Sequence, residues 1–447
     1  MLDPSVFKAY DVRGIHPTQI DEDGAYRIGR AFVEHFGLGR IAVGRDMRVS
    51  APTMTAAVID GAADGGADVL DLGMIGTEML YYAVGELALE GGIVVTASHN
   101  PKQYSGMKIV RAGALPVGGD SGLDDVRRAA DAGFGEVARR GEVTPTDIWD
   151  GFVRKVLSFV DAESLRPLRI VVDAANGMAG TMLPPLLERL PQLDVVRCFF
   201  EPDGAFPNHE PNPLLPENRE FIVERTRAAD AHLGVAFDGD ADRCFFVDDT
   251  GEFVPGDFVT ALLARAMLQK EQGATVLYDV RASWAVPRTI EESGGVALVN
   301  RVGHAFIKER MRDEGAIFGG EVSGHYYFHD FYNADSGTIP ALLILEKLSV
   351  EGKKMSELLE PLRSKYFISG EINSEVSDGE AKMRELEEKY SDGEISHLDG
   401  TSVDYEDWHF NVRPSNTEPL LRLTMESLVS EEDMKRRRDE LLAVIRG

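Results

Sequence analysis

Hydrophobic and polar positions along the chain repeat one arrangement three times: a short apolar run, a polar or glycine-bearing turn, then a stretch with helical spacing. Ile41-Ala42-Val43-Gly44-Arg45-Asp46, Ile170-Val171-Val172-Asp173-Ala174-Ala175-Asn176-Gly177 and Val276-Leu277-Tyr278-Asp279-Val280-Arg281 each open such a unit, as expected of alternating strands and helices. Downstream of each comes a second apolar run that ends in unusual polar residues. These runs are Ile93-Val94-Val95 before Ser98, Leu233-Gly234-Val235-Ala236-Phe237 before Asp238, and Ala316-Ile317-Phe318 before Gly319-Gly320-Glu321. Three similar α/β units, each offering a loop at a strand end, are expected. Similar runs recur in any large α/β protein, so the pattern alone leaves true internal repetition open.

The stretch Asp21 to Gly37 starts with acidic residues, carries Ile28, Ala31, Phe32 and Phe36 at helical spacing and closes on glycine, which predicts an amphipathic helix. Ser430, followed by acidic residues, predicts the N-cap of a C-terminal helix. From about Ser364 the pattern changes. Acidic glycine turns at Ser377-Asp378-Gly379-Glu380 and Ser391-Asp392-Gly393-Glu394, then a helix and strands, predict a smaller α+β domain.

Length and composition narrow the class. At 447 residues, and about 150 residues per domain, three or four domains are expected. Apolar content of 43% and charged content of 27% are those of a folded aqueous protein. A formal net charge of −28 repels nucleic acid and anionic lipid, so any anionic substrate must be met by local cations. No apolar run reaches the roughly 18 residues of a membrane span, and MLDPSVFKAYD is not a secretory leader. Cys198 and Cys244 are too few for a disulfide framework, so a reducing, cytoplasmic setting is expected.

The chemistry gathers in four places. Asp238-Gly239-Asp240-Ala241-Asp242-Arg243 sets three carboxylates at alternating positions after a strand, an array of hard oxygen ligands suited to Mg²⁺. A calcium-binding EF-hand is excluded, since its sixth position is Arg243 rather than glycine and its twelfth is Asp249. Ser98 in Thr96-Ala97-Ser98-His99-Asn100-Pro101 lacks the G-x-S-x-G setting of a hydrolase nucleophile. In an extended segment His99 points away from its neighbour and makes a poor base for it. A phosphoryl carrier beside a metal fits better, and a plain turn remains the simpler reading of the segment alone. Gly320-Glu321-Val322-Ser323-Gly324-His325 offers acceptors and donors for sugar hydroxyls, with an imidazole able to move protons. Arg413-Pro414-Ser415-Asn416-Thr417-Glu418-Pro419 is a candidate phosphate cradle. His304 and His325 also read as ordinary structural histidines.

Taken together and in this order, these four stretches resemble the signature loops of the α-D-phosphohexomutases. Phe7-Lys8-Ala9-Tyr10-Asp11-Val12-Arg13-Gly14 further resembles the phosphomannomutase/phosphoglucomutase branch rather than the phosphoglucosamine mutase branch. The resemblance implies four domains around a central cleft: three similar mixed α/β domains, 1–148, 149–251 and 252–364, and a smaller α+β domain, 365–447. It implies that Ser98 carries phosphate and that Asp238, Asp240 and Asp242 hold Mg²⁺ with it. Glu321 and Ser323 would grip sugar hydroxyls, and Arg413, Ser415, Asn416 and Thr417 the phosphate not being transferred. Tyr10, Arg13, Lys108, Arg243, His304 and His325 fall at positions the family uses in its cleft. Lys108 and His325 are the implied proton-transfer or phosphate-stabilising groups, and Arg281 an implied basic group facing substrate. The implied activity interconverts hexose 1- and 6-phosphates of mannose or glucose through a hexose 1,6-bisphosphate, which also serves as activator, in a monomer or dimer. A metal-dependent sugar-phosphate phosphatase, a non-catalytic sugar-phosphate sensor and a phosphoglucosamine mutase are the rivals.

Overall fold

The computed structural model describes residues 2–414 and 420–447, and these form four sheets. Each of the first three sheets is built on the same order. The opening apolar runs become central strands, Arg40–Arg45, Leu168–Asp173 and Thr275–Asp279. Each pairs in parallel on one side with the strand that follows it through a helix: Asp68–Met74, Leu193–Cys198 and Val296–Asn300. On its other side it pairs in parallel with the second apolar run, now Gly91–Val95, Leu233–Phe237 and Phe318–Gly320. The last of these extends into Gly319 and Gly320 rather than covering Ala316 and Ile317.

That third strand turns back in every case as an antiparallel hairpin, with Tyr104–Arg111, Cys244–Val247 and Tyr326–Phe328. A short further strand closes each sheet, Val12–Ile15 from the N-terminus in the first and Phe253–Val254 and Ala334–Asp335 in the others. The repetition left open by the sequence is therefore real at the level of topology. The serine, aspartate and Glu321 segments are the same hairpin tip in three copies, at the carboxyl ends of parallel strands where α/β sheets place their ligands.

The predicted N-terminal helix spans Glu22–Phe36, with Asp21 accepting from the Gly24 amide at 2.9 Å and Gly37 in the left-handed conformation at its end. The C-terminal helix, Glu431–Arg446, is capped by Ser430 as predicted. The segment 377–380 is not a free turn: Asp378 accepts from the Ala381 amide at 2.9 Å and starts the helix Gly379–Lys389, because an acidic side chain at that position satisfies an orphan helix donor. That helix and the C-terminal helix accompany an antiparallel sheet in which Trp408–Pro414 pairs with Leu420–Ser427. This is the distinct fourth domain.

A single apolar core runs through the first three units. It takes Leu80 and Val94 from the first, Phe237 and Leu186 from the second, and Val276, Phe318 and Leu342 from the third. The first sheet buries its other face with Ile28, Phe32, Ile41 and Val95, and the C-terminal domain has its own core around Phe410, Leu423 and Leu441. The fourth domain docks on the third partly through Trp284 and His409, stacked 4.5 Å apart. Shared packing of this kind gives the hairpin tips a fixed mutual geometry.

Gly239 marks where two tips meet. A Cβ there would lie 2.4 Å from the Ser98 carbonyl oxygen and 3.3 Å from Pro211, so only glycine allows the aspartate tip to press against the serine tip. Gly239→Ala is expected to cost about 1–3 kcal/mol of stability, read as a lowered denaturant midpoint. An unchanged midpoint would mean that the two tips yield freely.

Candidate active site

The serine tip is held in an uncommon conformation. Ser98 has φ of 48°, a region that costs a non-glycine residue strain and that clusters at functional sites. Its amide donates to Thr96 Oγ1 at 2.9 Å, and its hydroxyl donates to Asp238 Oδ2 at 2.9 Å. The segment is therefore not extended, and the expectation that His99 faces away from Ser98 is corrected: Nδ1 of His99 lies 3.3 Å from Ser98 Oγ. Burial, with Arg243 and Arg13 nearby, pushes the His99 imidazole well below its ordinary pKa. It is neutral at pH 7.

Asp238, Asp240 and Asp242 are fully buried and bring one carboxylate oxygen each to within 4.8 Å of one another. Ala241 between them takes φ of 61°, which turns the alternating side chains inward. Lys108, from the returning strand of the first hairpin, contacts Asp242 and lies 2.7 Å from Asp240. Arg243 braces Asp238 through Nε at 2.9 Å and Nη2 at 2.8 Å. Thr77 and, at 3.3 Å, Thr96 also donate to Asp240.

Burial would raise the Asp240 carboxyl, but Lys108 and Thr77 outweigh it and hold it well below the usual carboxylate range. Burial and the Asp240 charge push Asp242 well up. Burial likewise raises Asp238 against the pull of Arg243. For Lys108 burial is outweighed by Asp240 and Asp242, so its ammonium is held charged. Three carboxylates thus face two cations, and Asp240 Oδ1 and Asp242 Oδ1 are buried without a hydrogen-bond donor among the described residues. Orphaned oxygens in so dry a place fit a hard divalent cation. The donor set is all oxygen, as magnesium prefers.

The third tip lies against this cluster. His325 Nε2 is 4.0 Å from Asp242, and its Nδ1 is 3.0 Å from Ser323 Oγ and 3.8 Å from Glu321. Burial, Arg243 and His304 keep His325 neutral, well below its ordinary pKa. His304 stacks on it at 6.1 Å, and Tyr10 meets His304 edge-on at 5.2 Å while donating to the Val302 carbonyl at 3.1 Å. Glu321 accepts from the Gly303 amide at 2.8 Å and from the Tyr327 hydroxyl. Arg13 donates to Asn100 of the serine tip and to Asp11.

Arg281 spends its guanidinium on Asp279, at 2.9 Å from both Nε and Nη2, and on Glu371 at 3.2 Å, and lies 3.9 Å from Glu321. Arg413 reaches the same Glu371 at 3.1 Å. Contacts thus run unbroken from Arg413 through Arg281, Glu321 and His325 to Asp242. Ser415, Asn416 and Thr417 lie outside the described residues.

Comparison with known proteins matches each part of this architecture. The phosphoglucomutase/phosphomannomutase domains match in order: alpha/beta/alpha domain I at residues 4–131, domain II at 150–251, domain III at 255–366 and the C-terminal domain at 371–444. The chain is 43% identical over 445 residues, 99% of each chain, to a protein of Xanthomonas campestris pv. campestris named among the phosphohexose mutases. It is 42% identical over 448 residues, 98% of each, to the phosphomannomutase of Salmonella montevideo. The chain belongs to the phosphoglucomutase/phosphomannomutase family. A crystal structure of a family protein from Burkholderia thailandensis superposes with a TM-score of 0.90 at 35% identity, covering 99% of this chain and 97% of that one. As a member of this family the protein is a phosphohexomutase, an isomerase.

Sequence reading missed several groups that shape this phosphohexomutase site. Lys308 is fully buried 2.8 Å from Asp335, over the face of Tyr81 at 4.0 Å. Asp335 in turn brings an oxygen within 4.8 Å of Asp242 and His325 ligand atoms. The spacing of four between His304 and Lys308 on one helix was a usable signal. Glu371 collects Arg281, Arg413 and Arg422; burial opposes its charge, yet the three guanidiniums hold it down at about 2. Arg413 and Arg422 face each other across neighbouring strands, a like-charge pair that needs such a carboxylate. Arg48, behind the serine tip, had no signal beyond its place after a strand.

Burial, and then the Asp279 charge, push the Glu321 carboxyl up to about 7 against the pull of Arg281. It therefore loses its charge as pH falls through neutrality. Phosphomutase kcat/KM is expected to decline on an acid limb near pH 7, and Glu321→Gln is expected to abolish that limb while lowering kcat/KM throughout. A limb that persists in the variant would assign it to another group, the substrate phosphate included.

Proposed function

We propose that this family member is a phosphomannomutase that also turns over glucose phosphates, working through a phosphorylated Ser98 and a bound hexose 1,6-bisphosphate. The observation that carries the reading is the 2.9 Å contact of Ser98 Oγ with Asp238, inside a buried group of three aspartates and Lys108. Ser98 Oγ turns its proton to a carboxylate of the aspartate group at 2.9 Å, nearer than the His99 imidazole at 3.3 Å, and a serine so placed suits a phosphate that shares a cation with those carboxylates. Mg²⁺ held by Asp238, Asp240, Asp242 and the serine phosphate would neutralise charge on the phosphoryl oxygens. The full-length likeness to proteins named phosphomannomutase supports the mannose assignment.

In this reading a hexose phosphate binds with Glu321 and Ser323 on its hydroxyls and with Arg413, beside Ser415, Asn416 and Thr417, on its standing phosphate. A free sugar hydroxyl attacks the phosphorus of phosphoserine, the bond to Ser98 Oγ breaks, and the new bond yields the bisphosphate. His325, neutral and largely buried, takes the hydroxyl proton. The Lys108 ammonium and Arg243 offset the charge that grows on the transferring group and on Ser98, and Lys108 gives the departing Ser98 Oγ its proton, to be recovered when the second transfer runs the other way. Arg13, His304 and Tyr10 wall the space, and Arg281 ties it to the phosphate-binding domain. After the bisphosphate turns over, the same residues run the step in reverse from its other end. The cytoplasm, where hexose phosphates are made and reduced cysteines persist, is the proposed setting.

Side-by-side assay of mannose 1-phosphate, glucose 1-phosphate and glucosamine 1-phosphate with Mg²⁺ and a bisphosphate activator tests this. Mannose and glucose 1-phosphates are expected to give their 6-phosphates, with glucosamine 1-phosphate far slower; release of inorganic phosphate as the main product would overturn it. Ser98→Ala is expected to lose several orders of magnitude in turnover with the fold intact. Chelation by EDTA, or Asp240→Asn, is expected to abolish activity, and turnover that survives EDTA would remove the metal from the scheme.

A further inference from the structure

Arg48 lies between the strand Arg40–Arg45 and the helix Ala51–Asp64, and is fully buried. Its guanidinium meets the back of the serine tip. Nη1 donates to the carbonyls of Pro101 at 2.9 Å and Tyr104 at 3.1 Å, and Nη2 to those of Ser98 at 2.8 Å and Asn100 at 2.6 Å. Nε lies 3.3 Å from Asp46 Oδ2, while Asp46 Oδ1 accepts from the Arg48 amide at 2.9 Å. The second α/β unit closes over the group: the Phe206 ring lies 5.2 Å from the guanidinium, and a Cβ on Gly204 would stand 2.6 Å from Arg48 Cα.

Four carbonyls of one loop converge on a single side chain, a task that needs the planar fork of arginine rather than the point charge of lysine. The consequence falls on Ser98. Its N–H is taken by Thr96 Oγ1 and its C=O by Arg48, so the peptide planes on both sides are held. The left-handed φ is then enforced rather than chosen, and the side chain leaves the backbone toward Asp238. None of these bonds uses Ser98 Oγ, so they are compatible with a phosphorylated serine.

We propose that Arg48 is a positioning residue for phosphoryl transfer: by gripping the carbonyls of the serine tip it directs Ser98 Oγ at the three aspartates. The proposal rests on Ser98 being the phosphoryl carrier. Arg48 touches neither substrate nor the reacting oxygen, and its effect is on the geometry of the transfer.

Arg48→Lys, Arg48→Ala and Ser98→Ala, all full length, test it. For Arg48→Lys, kcat is expected to fall about 100-fold, the scale of a misplaced reacting group, with KM within about threefold. Transfer of radioactive phosphate from glucose 1,6-bisphosphate onto Ser98 is expected to slow in parallel. Guanidinium ion, but not ammonium, is expected to restore part of the lost rate to Arg48→Ala, which a merely structural role does not predict. Turnover of Arg48→Lys within about threefold of the parent, a loss confined to KM, or no response to guanidinium would overturn the proposal. Melting of both Arg48 variants below the assay temperature would also overturn it, by making Arg48 a residue of the fold alone. Ser98→Ala separates the two readings: if it keeps activity or still takes label, the carrier assignment fails, whatever Arg48 does.

Discussion

Everything at this site depends on three carboxylates that cannot reach water. Asp238, Asp240 and Asp242 sit on a single hairpin tip, and isolated burial of so much negative charge is untenable. Lys108 and Arg243 answer part of it, and two oxygens are left for a cation. The serine tip, the glycine that lets it approach and the third tip with His325 are arranged around that imbalance. A phosphoryl group in transfer is itself an anion spread over several oxygens, so a site already organised to concentrate and offset charge needs little rearrangement to bind it.

The architecture supplies this by repetition. The same hairpin tip, in three copies, carries a serine, an aspartate triplet and a glutamate with a histidine. Each copy alone is an unremarkable strand end. Fusing the three units through one apolar core brings their tips together, and the fourth domain adds Arg413 through the cluster around Glu371. Each domain therefore contributes one kind of side chain, and these come together only where the domains adjoin.

Much of this was legible along the chain. The strand end at Phe237, the apolar runs that open each α/β unit, the two terminal helices and the change of character after Ser364 followed from local periodicity and capping. The four chemical segments stood out because Ser98, Asp238 to Asp242, Glu321 and Arg413 break apolar runs with residue types that local turns seldom combine. The error over His99 has a specific cause. Alternation of side chains holds for extended backbone, and Ser98 adopts a positive φ that bonds from Thr96 and Arg48 impose. Asp378 was misread in the opposite sense, as a turn, because a helix cap and a turn use the same residues.

The sequence by itself determined the apolar runs that became strands, the two terminal helices and which residue types were available at the four segments, because those depend on neighbours within a few positions; the family likeness came from the order of those segments along the chain. Tertiary structure alone decided that Lys108 and Arg243 are spent on aspartates, that Arg281 and Arg413 share Glu371, and that Lys308 lies buried beside Asp335. It also decided that Arg48 holds the serine loop from 50 residues away in sequence. These are encounters between side chains far apart in the chain, fixed by how sheets pack, and no local pattern encodes them.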